Sequence, residues 1–130
     1  MVKTWFCHSD GSGYVELQDS TSHWRVHLEF EHSDLSISLS VPESDNRGRY
    51  VDSNEIFDSL ESSIRSAVES LGGDVDRPVF GCGDRCSWCR FDGKMSNHKF
   101  SDRRKFIQEL FGKIWILLEP IWNSYEIRMD

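Results

Sequence analysis

Residues 24–41 contain two consecutive stretches in which apolar and polar side chains alternate one by one. The apolar positions are Trp24, Val26, Leu28 and Phe30 in the first stretch and Leu35, Ile37, Leu39 and Val41 in the second. A period of two is typical of a β-strand that packs one face on a core. Shorter alternations occur earlier, around Trp5 and around Val15, on either side of a glycine-rich turn. The sequence therefore predicts a four-stranded antiparallel meander over residues 1–41.

Two later segments have the periodicity of helices. Residues 52–72 begin with Asp52 or Ser53 as a helix cap and end at a Gly-Gly pair, which favours helix termination. Residues 101–123 repeat apolar side chains at helical spacing. Pro120 is expected to stop or kink this second helix near its end, because proline lacks the backbone N–H that a helix interior needs.

These elements predict an α+β fold in a single domain, residues 1–130, with the four-stranded meander packed against the two helices. The segment between the helices, residues 74–100, carries most of the cysteines and is predicted to be an irregular Cys-rich loop. The expected core residues are Trp24, Val26, Leu28, Phe30, Leu35, Ile37, Leu39, Ile56, Leu60, Ile64, Leu110, Ile114 and Leu117.

Nothing in the sequence predicts a membrane span or a secretory signal. The longest apolar run, Ile114 to Leu118, is too short to cross a bilayer. The first residues turn polar after seven positions, unlike a signal peptide. We therefore expect the protein in the cytoplasm.

Three of the four cysteines fall within eight residues, as Cys82, Cys86 and Cys89. In a cytoplasmic protein such a cluster favours a metal site or reactive thiols over disulfides. A tetrahedral zinc ion needs a fourth ligand, and His98 and Cys7 are the two candidates. We expect structural zinc to order the Cys-rich segment, and ordinary unligated thiols are the alternative.

Charge is divided unevenly along the chain. Residues 1–76 hold fifteen Asp and Glu against five Lys and Arg, whereas residues 77–130 hold seven against ten. An acidic surface repels nucleic acid and attracts basic protein surfaces at long range. The acidic residues expected to face such a partner are Glu29, Glu31, Glu43, Asp45, Asp52, Glu55, Asp58 and Glu61. Acidic residues that only keep the protein in solution are the alternative.

In size, acidity and lack of a catalytic motif, the chain resembles the small inhibitors made by phages and mobile elements. These include anti-CRISPR proteins, DNA-mimic anti-restriction proteins and toxin-immunity proteins, and the resemblance is one of type over the whole chain rather than of a shared motif. It implies a non-enzymatic protein that occupies a basic nucleic-acid-binding site on a partner such as a nuclease. The sequence contains no G-x-S-x-G or H-E-x-x-H motif and no phosphate-binding glycine loop.

A basic segment in the second part of the chain supports a different interpretation. Its cationic residues are Arg85, Arg90, Lys94, Lys99, Arg103, Arg104 and Lys105, with aromatic residues between them. Basic side chains contact phosphates and aromatic rings stack on bases. A small zinc-stabilised nucleic-acid-binding or regulatory protein is therefore the alternative function. The same cations could instead pair with the acidic half of the chain.

Overall fold

The alternating stretches of the first part of the chain form four neighbouring antiparallel strands. The computed structural model describes residues 2–7, 12–18, 24–44, 48–83, 85–95 and 100–124. In chain order the elements are β1 Val2–Cys7, β2 Gly13–Gln18, β3 Arg25–Glu31, β4 Asp34–Pro42, α1 Ser53–Ser70, β5 Asp74–Val75, β6 Val79–Gly83, β7 Cys86–Lys94 and α2 Phe100–Ser124. The strands lie in the order β1-β2-β3-β4-β7-β5, and β6 also pairs with β7. All pairings are antiparallel.

The predicted sheet of four strands with an irregular Cys-rich loop is wrong, because the described residues form seven strands in one sheet. β7 pairs with β4 along its whole length, so the meander continues into a segment predicted to be a loop. Cys89 and Phe91 are buried and alternate with exposed Arg90 and Asp92, which is again a period of two. The sequence pattern conceals this alternation because a cysteine cluster indicates metal ligands, although free cysteine is among the most buried residue types.

The glycines of this segment also serve strands rather than a loop. β5 and β6 both pair with β7 on the side away from β4, one after the other along the same edge. Gly93 of β7 allows β5 to approach closely, since a Cβ at Gly93 would lie 2.0 Å from the carbonyl oxygen of Asp74. A residue that looks like a turn former in the sequence is therefore a point of close backbone contact.

One face of the sheet packs against both helices, and we call it the inner face. The strand register places Val15, Leu28, Ile37 and Phe91 in one row across β2, β3, β4 and β7. These side chains join the buried residues of α1 and α2 in one apolar core. All the predicted core residues are confirmed as buried except Leu117, which is partly buried.

Helix α1 begins and ends close to the predicted residues. The side chain of Asp52 accepts a hydrogen bond from the backbone N–H of Glu55 at 3.1 Å, which caps the helix. At the other end Gly72 has a φ of 89° and donates to the carbonyl oxygen of Glu69, while Gly73 donates to that of Val68. This pair of hydrogen bonds is a Schellman motif. The left-handed backbone conformation that the motif requires at Gly72 explains why a glycine occupies this position.

Helix α2 covers the predicted residues 101–123, and only the possibility that Pro120 stops it is wrong. The helix continues through this residue to Ser124 instead of stopping near it. Pro120 has no N–H to donate to the carbonyl group of Ile116, and Ile116 lies on the exposed side of the helix. Neither α1 nor the described length of α2 is long and apolar enough to cross a membrane.

Candidate functional site

The face of the sheet opposite the helices, which we call the outer face, is lined by polar side chains. The register arranges them in rows: Glu16, His27, Ser38 and Arg90 in one row; Tyr14, Glu29, Ser36 and Asp92 in the next; Glu31, Asp34, Lys94 and Asp74 in the third. Each row crosses strands that lie about 4.8 Å apart. Side chains from distant parts of the sequence are thus brought next to one another.

Carboxylates concentrate at one end of the outer face and form an open groove with a volume of about 530 Å³. We call it the acidic groove. Its charged residues are Glu29, Glu31, Asp34, Asp74, Asp76, Asp92 and Lys94. The six carboxylates come from β3, β4, β5, β7 and the connection that follows β5. A single ammonium group accompanies them in the lining of the groove.

Lys94 is an internal counterion of the acidic groove. The register places it directly opposite both Asp34 and Asp74. Its ammonium group forms an ion pair with Asp34. The hydrogen bond and charge of Asp34, with the charges of Asp74 and Asp76, raise the pKa of Lys94 above its ordinary value. Lys94 therefore remains protonated at neutral pH and has a partner within the groove.

Most of the groove carboxylates have no such partner. Asp34 pairs with Lys94, and Asp92 pairs with Arg90, whose Nε lies 3.1 Å from a carboxylate oxygen. The other four, Glu29, Glu31, Asp74 and Asp76, form no ion pair with another described side chain. The groove thus presents an excess of negative charge on rigid strands.

A second polar cluster lies beside the groove, around Glu16. The guanidinium group of Arg25 donates to Glu16 Oε2 from Nε at 3.1 Å and from Nη2 at 2.8 Å, and His27 Nδ1 lies 2.7 Å from the same oxygen. Tyr14 stacks on His27 with ring centroids 5.2 Å apart. Burial raises the pKa of Glu16, but the hydrogen bonds from His27 and Arg25 outweigh it and hold that pKa below its ordinary value. The cluster is therefore charged, and the carboxylate of Glu16 has its hydrogen-bond partners within the cluster.

His27 shares the outer face of β3 with Glu29 and Glu31, but it does not pair with either of them. The partner of His27 is Glu16 on β2. Because Nδ1 of His27 is held by Glu16 and its ring by Tyr14, this histidine has a structural role on the outer face.

The predicted acidic partner-binding residues do not form one continuous surface. Glu29 and Glu31 lie in the acidic groove. Four others, Asp52, Glu55, Asp58 and Glu61, belong to α1 or its cap, on the side of the sheet opposite the groove. Glu43 is exposed beyond the end of β4, and Asp45 lies outside the described residues. The acidic surface is thus divided between the two sides of the molecule.

The structure also groups four carboxylates that the sequence did not suggest as site residues, namely Asp34, Asp74, Asp76 and Asp92. Their proximity depends on the pairing of β7 with β4 and β5. The only signal in the sequence was the acidic Asp74-Val75-Asp76 segment, which was assigned to the loop.

The three clustered cysteines do not converge. Cys86 and Cys89 lie three positions apart in β7, and an odd separation directs them to opposite faces of the sheet. Cys82 is exposed on β6. Burial, together with the charge of Glu61, raises the pKa of the Cys89 thiol to about 12, so Cys89 is neutral at physiological pH.

A zinc site was predicted with His98 or Cys7 as the fourth ligand. His98 and the side chain of Cys7 lie outside the described part of the structure. Within that part, no group of three or more His, Cys, Asp or Glu side chains is arranged to hold a metal ion.

The predicted basic segment is dispersed over several elements. Arg90 and Lys94 lie on the outer face in ion pairs with groove carboxylates. Lys105 lies 4.0 Å from Glu109 on α2, and Arg104 lies over the ring of Trp5, 5.8 Å from its centroid. Arg85 is exposed in the turn before β7, while Lys99 and the side chain of Arg103 lie outside the described residues.

Comparison of the chain with protein-family models, with curated proteins and with solved structures found no match. What the protein does must therefore be inferred from its own residues and their geometry.

Proposed function

We propose that this protein is a non-enzymatic inhibitor that places its acidic groove against a basic nucleic-acid-binding site of a cytoplasmic partner, such as a nuclease. The carboxylates would occupy the partner's Arg and Lys side chains in place of phosphates. The observation that carries the proposal is the convergence of six carboxylates from separate elements on a sheet face that no described element covers, four of them in no ion pair with another described side chain.

The chemistry of the groove suits a phosphate-binding surface on another protein. Arg and Lys side chains that contact phosphate oxygens also bind carboxylates, and Arg does so in a bidentate manner. An excess of like charges at one end of a face creates a potential that accelerates association with a basic partner. Because five of the six groove acids stand on paired strands, little backbone conformational entropy is lost when the partner binds.

The non-enzymatic part of the proposal is supported by the chemistry of the outer face. The groove offers carboxylates and one ammonium group that is already paired. The nearest described histidine cluster is held internally by Glu16 and Tyr14. These groups suit electrostatic binding better than covalent chemistry.

The division of acidic residues between two sides of the molecule gives a matched experiment. Glu29→Lys with Glu31→Lys reverses two charges in the groove, and Glu55→Lys with Asp58→Lys reverses two on α1. Wild type and both double variants are crosslinked to partners in lysate of cells that express the protein, with and without prior nuclease treatment. The captured partner is then purified, and its affinity for each protein and its nucleic-acid activity are measured.

We expect the groove variant to bind at least about tenfold more weakly and the α1 variant to bind within about twofold of wild type. Equal binding by wild type and the groove variant would refute the proposal. Partners that disappear after nuclease treatment would instead favour the alternative, direct nucleic-acid binding by the basic segment.

A further inference from the structure

β6 forms an exposed edge of the sheet. It pairs with β7 on one side, and no described residue pairs with its other side. In an antiparallel ladder alternate residues turn both N–H and C=O away from the neighbouring strand. The two-residue turn after β6 makes Gly83 and Cys86 the closing pair, which is hydrogen-bonded, so Phe80 and Cys82 direct their backbone groups outward.

The edge has few of the features that normally protect edge strands. Such strands are usually guarded by charged side chains or proline, but β6 contains neither. Val79 and Phe80 are 48% and 51% exposed, which is high for large apolar side chains. A neighbouring strand could therefore gain both backbone hydrogen bonds and apolar contacts here.

Aromatic side chains lie on both faces of the edge. Phe80 points to the inner side, where its ring centroid lies 6.1 Å from that of Phe57 of α1. On the outer side the indole of Trp88 occupies the space over Gly81, where a Cβ would lie only 2.1 Å from the ring. Gly81 thus lets the indole reach toward the edge. A strand added beside β6 would contact Phe80 on one face and Trp88 on the other.

Two arginines flank the uncharged strand. Arg77 precedes it and Arg85 follows it, eight positions apart, and both are exposed. Neither forms an ion pair with another described side chain. The two arginines thus lie beyond opposite ends of the five-residue strand β6. A partner strand with a carboxylate near each end would complement both cations.

We propose that the β6 edge binds an extended acidic peptide segment of another protein as an additional strand, with apolar residues in its middle and carboxylates about eight positions apart. A second copy of this chain fits less well. Antiparallel pairing of two β6 strands about Gly81 would place Arg77 of one copy opposite Arg85 of the other, and like charges opposite one another destabilise a sheet. This interface shares no residue with the acidic groove, although Arg77 directly follows the groove residue Asp76, and it does not depend on the proposed function.

The first part of the test uses synthetic peptides and the wild-type protein. The probe is a fluorescently labelled nine-residue peptide, ETVTVTVTE, and its charge control is KTVTVTVTK. Two further probes carry N-methyl groups on either the Val or the Thr amides, so that only one set of N–H groups is blocked in each. Affinity is measured by fluorescence anisotropy.

We expect the acidic peptide to bind at least about tenfold more tightly than the basic one. Only one of the two N-methylated peptides should lose binding, because alternate amides of an added strand face its neighbour. Equal affinity for the two charge forms, equal loss with both N-methylated peptides, or no binding of the acidic peptide would overturn the inference.

The second part uses variants of the edge. Arg77→Gln with Arg85→Asn removes both flanking charges, and asparagine tolerates the φ of 58° at position 85. Cys82→Pro removes an outward N–H while leaving the ladder to β7. Both should weaken binding of ETVTVTVTE at least about tenfold with the circular dichroism spectrum unchanged. If Cys82→Pro fails to fold, the N-methylated peptides alone test whether the peptide pairs with the backbone of β6. An unchanged affinity of the arginine variant for ETVTVTVTE would refute an acidic occupant. So would a dimer of the wild-type protein that becomes more stable in the arginine variant.

Discussion

Glu16 shows how a single carboxylate is integrated into the outer face. It lies between Arg25 and His27, both within hydrogen-bond distance, and only a fifth of its side chain is exposed (19%). Burial disfavours its charged form, whereas the two basic partners favour it. The effect of the partners is larger, so the pKa of Glu16 is lowered. This cluster could not be predicted from the sequence, because Glu16 and His27 are eleven positions apart and meet only through the register of β2 and β3.

The environment of Glu16 predicts a pH dependence of stability. A carboxyl whose pKa is lower in the folded than in the unfolded chain stabilises the fold above its unfolded pKa, and this contribution is lost as the pH falls through the folded pKa. The ordinary pKa of the group is 4.5. The free energy of unfolding of wild type should therefore fall below about pH 4.5, and Glu16→Gln should reduce that fall.

The measurement is urea denaturation followed by tryptophan fluorescence between about pH 3 and pH 6. Glu29→Gln, which removes a carboxylate from the next row of the same face, serves as the control. If the free energy of unfolding falls equally steeply with decreasing pH in wild type and in Glu16→Gln, the Glu16 cluster contributes nothing to the pH dependence of stability.

At the scale of elements, the strands that could be predicted are those with strongly apolar inner positions. β3 and β4 place Val, Leu, Ile or Phe at every inner position, so their period of two is visible in the sequence. β7 places Cys89, Phe91 and Gly93 there, and only Phe91 is a large apolar residue. Cysteine and glycine suggested a metal site and turns, and that interpretation hid the strand.

The acidic groove could not be predicted for a related reason. Asp34 and Lys94 are paired although they lie 60 positions apart. Local patterns do not specify which strands become neighbours, and once β7 was missed, its pairing with β4 and β5 was lost as well. Only Glu29 and Glu31 of the groove were recognised, because they lie on the clearest predicted strand.

Two glycine-to-alanine substitutions should change the free energy of unfolding in opposite directions, because Gly93 closely contacts β5 whereas Gly112 has open space around it. Gly93→Ala would place a Cβ against the backbone of Asp74 and Val75, and we expect the free energy of unfolding to fall by about 1–3 kcal/mol. Gly112→Ala lies on the exposed side of α2 with no atom within 4 Å of the added Cβ. It should raise the free energy of unfolding by about 0.5–1 kcal/mol, because alanine favours a helix over glycine.

Urea denaturation of both variants at neutral pH tests this pair. The helical variant shows whether a glycine-to-alanine change at an open position is tolerated, so a loss of stability in Gly93→Ala points to its contact with β5. A Gly93→Ala variant as stable as wild type would mean that β5 can move away from β7 at no cost.

At the scale of the whole molecule, the chain keeps like charges close together on the outer face. Glu31 and Asp34 are directly opposite in the β3–β4 ladder, and Lys94 forms an ion pair with Asp34 but not with Glu31. Like charges directly opposite one another destabilise a sheet. Natural proteins often retain such costs where a binding surface requires them. The acidic groove is therefore expected to reduce stability.

Neutralising one groove acid should thus stabilise the protein. We expect Glu31→Gln to raise the free energy of unfolding by a few tenths of a kcal/mol in about 20 mM NaCl, and less in about 500 mM NaCl, where screening weakens the repulsion. Glu55→Gln in the first turn of α1 is the matched control, and it should lower stability because a carboxylate there interacts favourably with the helix dipole. If Glu31→Gln also lowers stability, the groove carboxylates are held by favourable contacts. Their convergence would then be explained by folding, and the strongest support for a binding role would be lost.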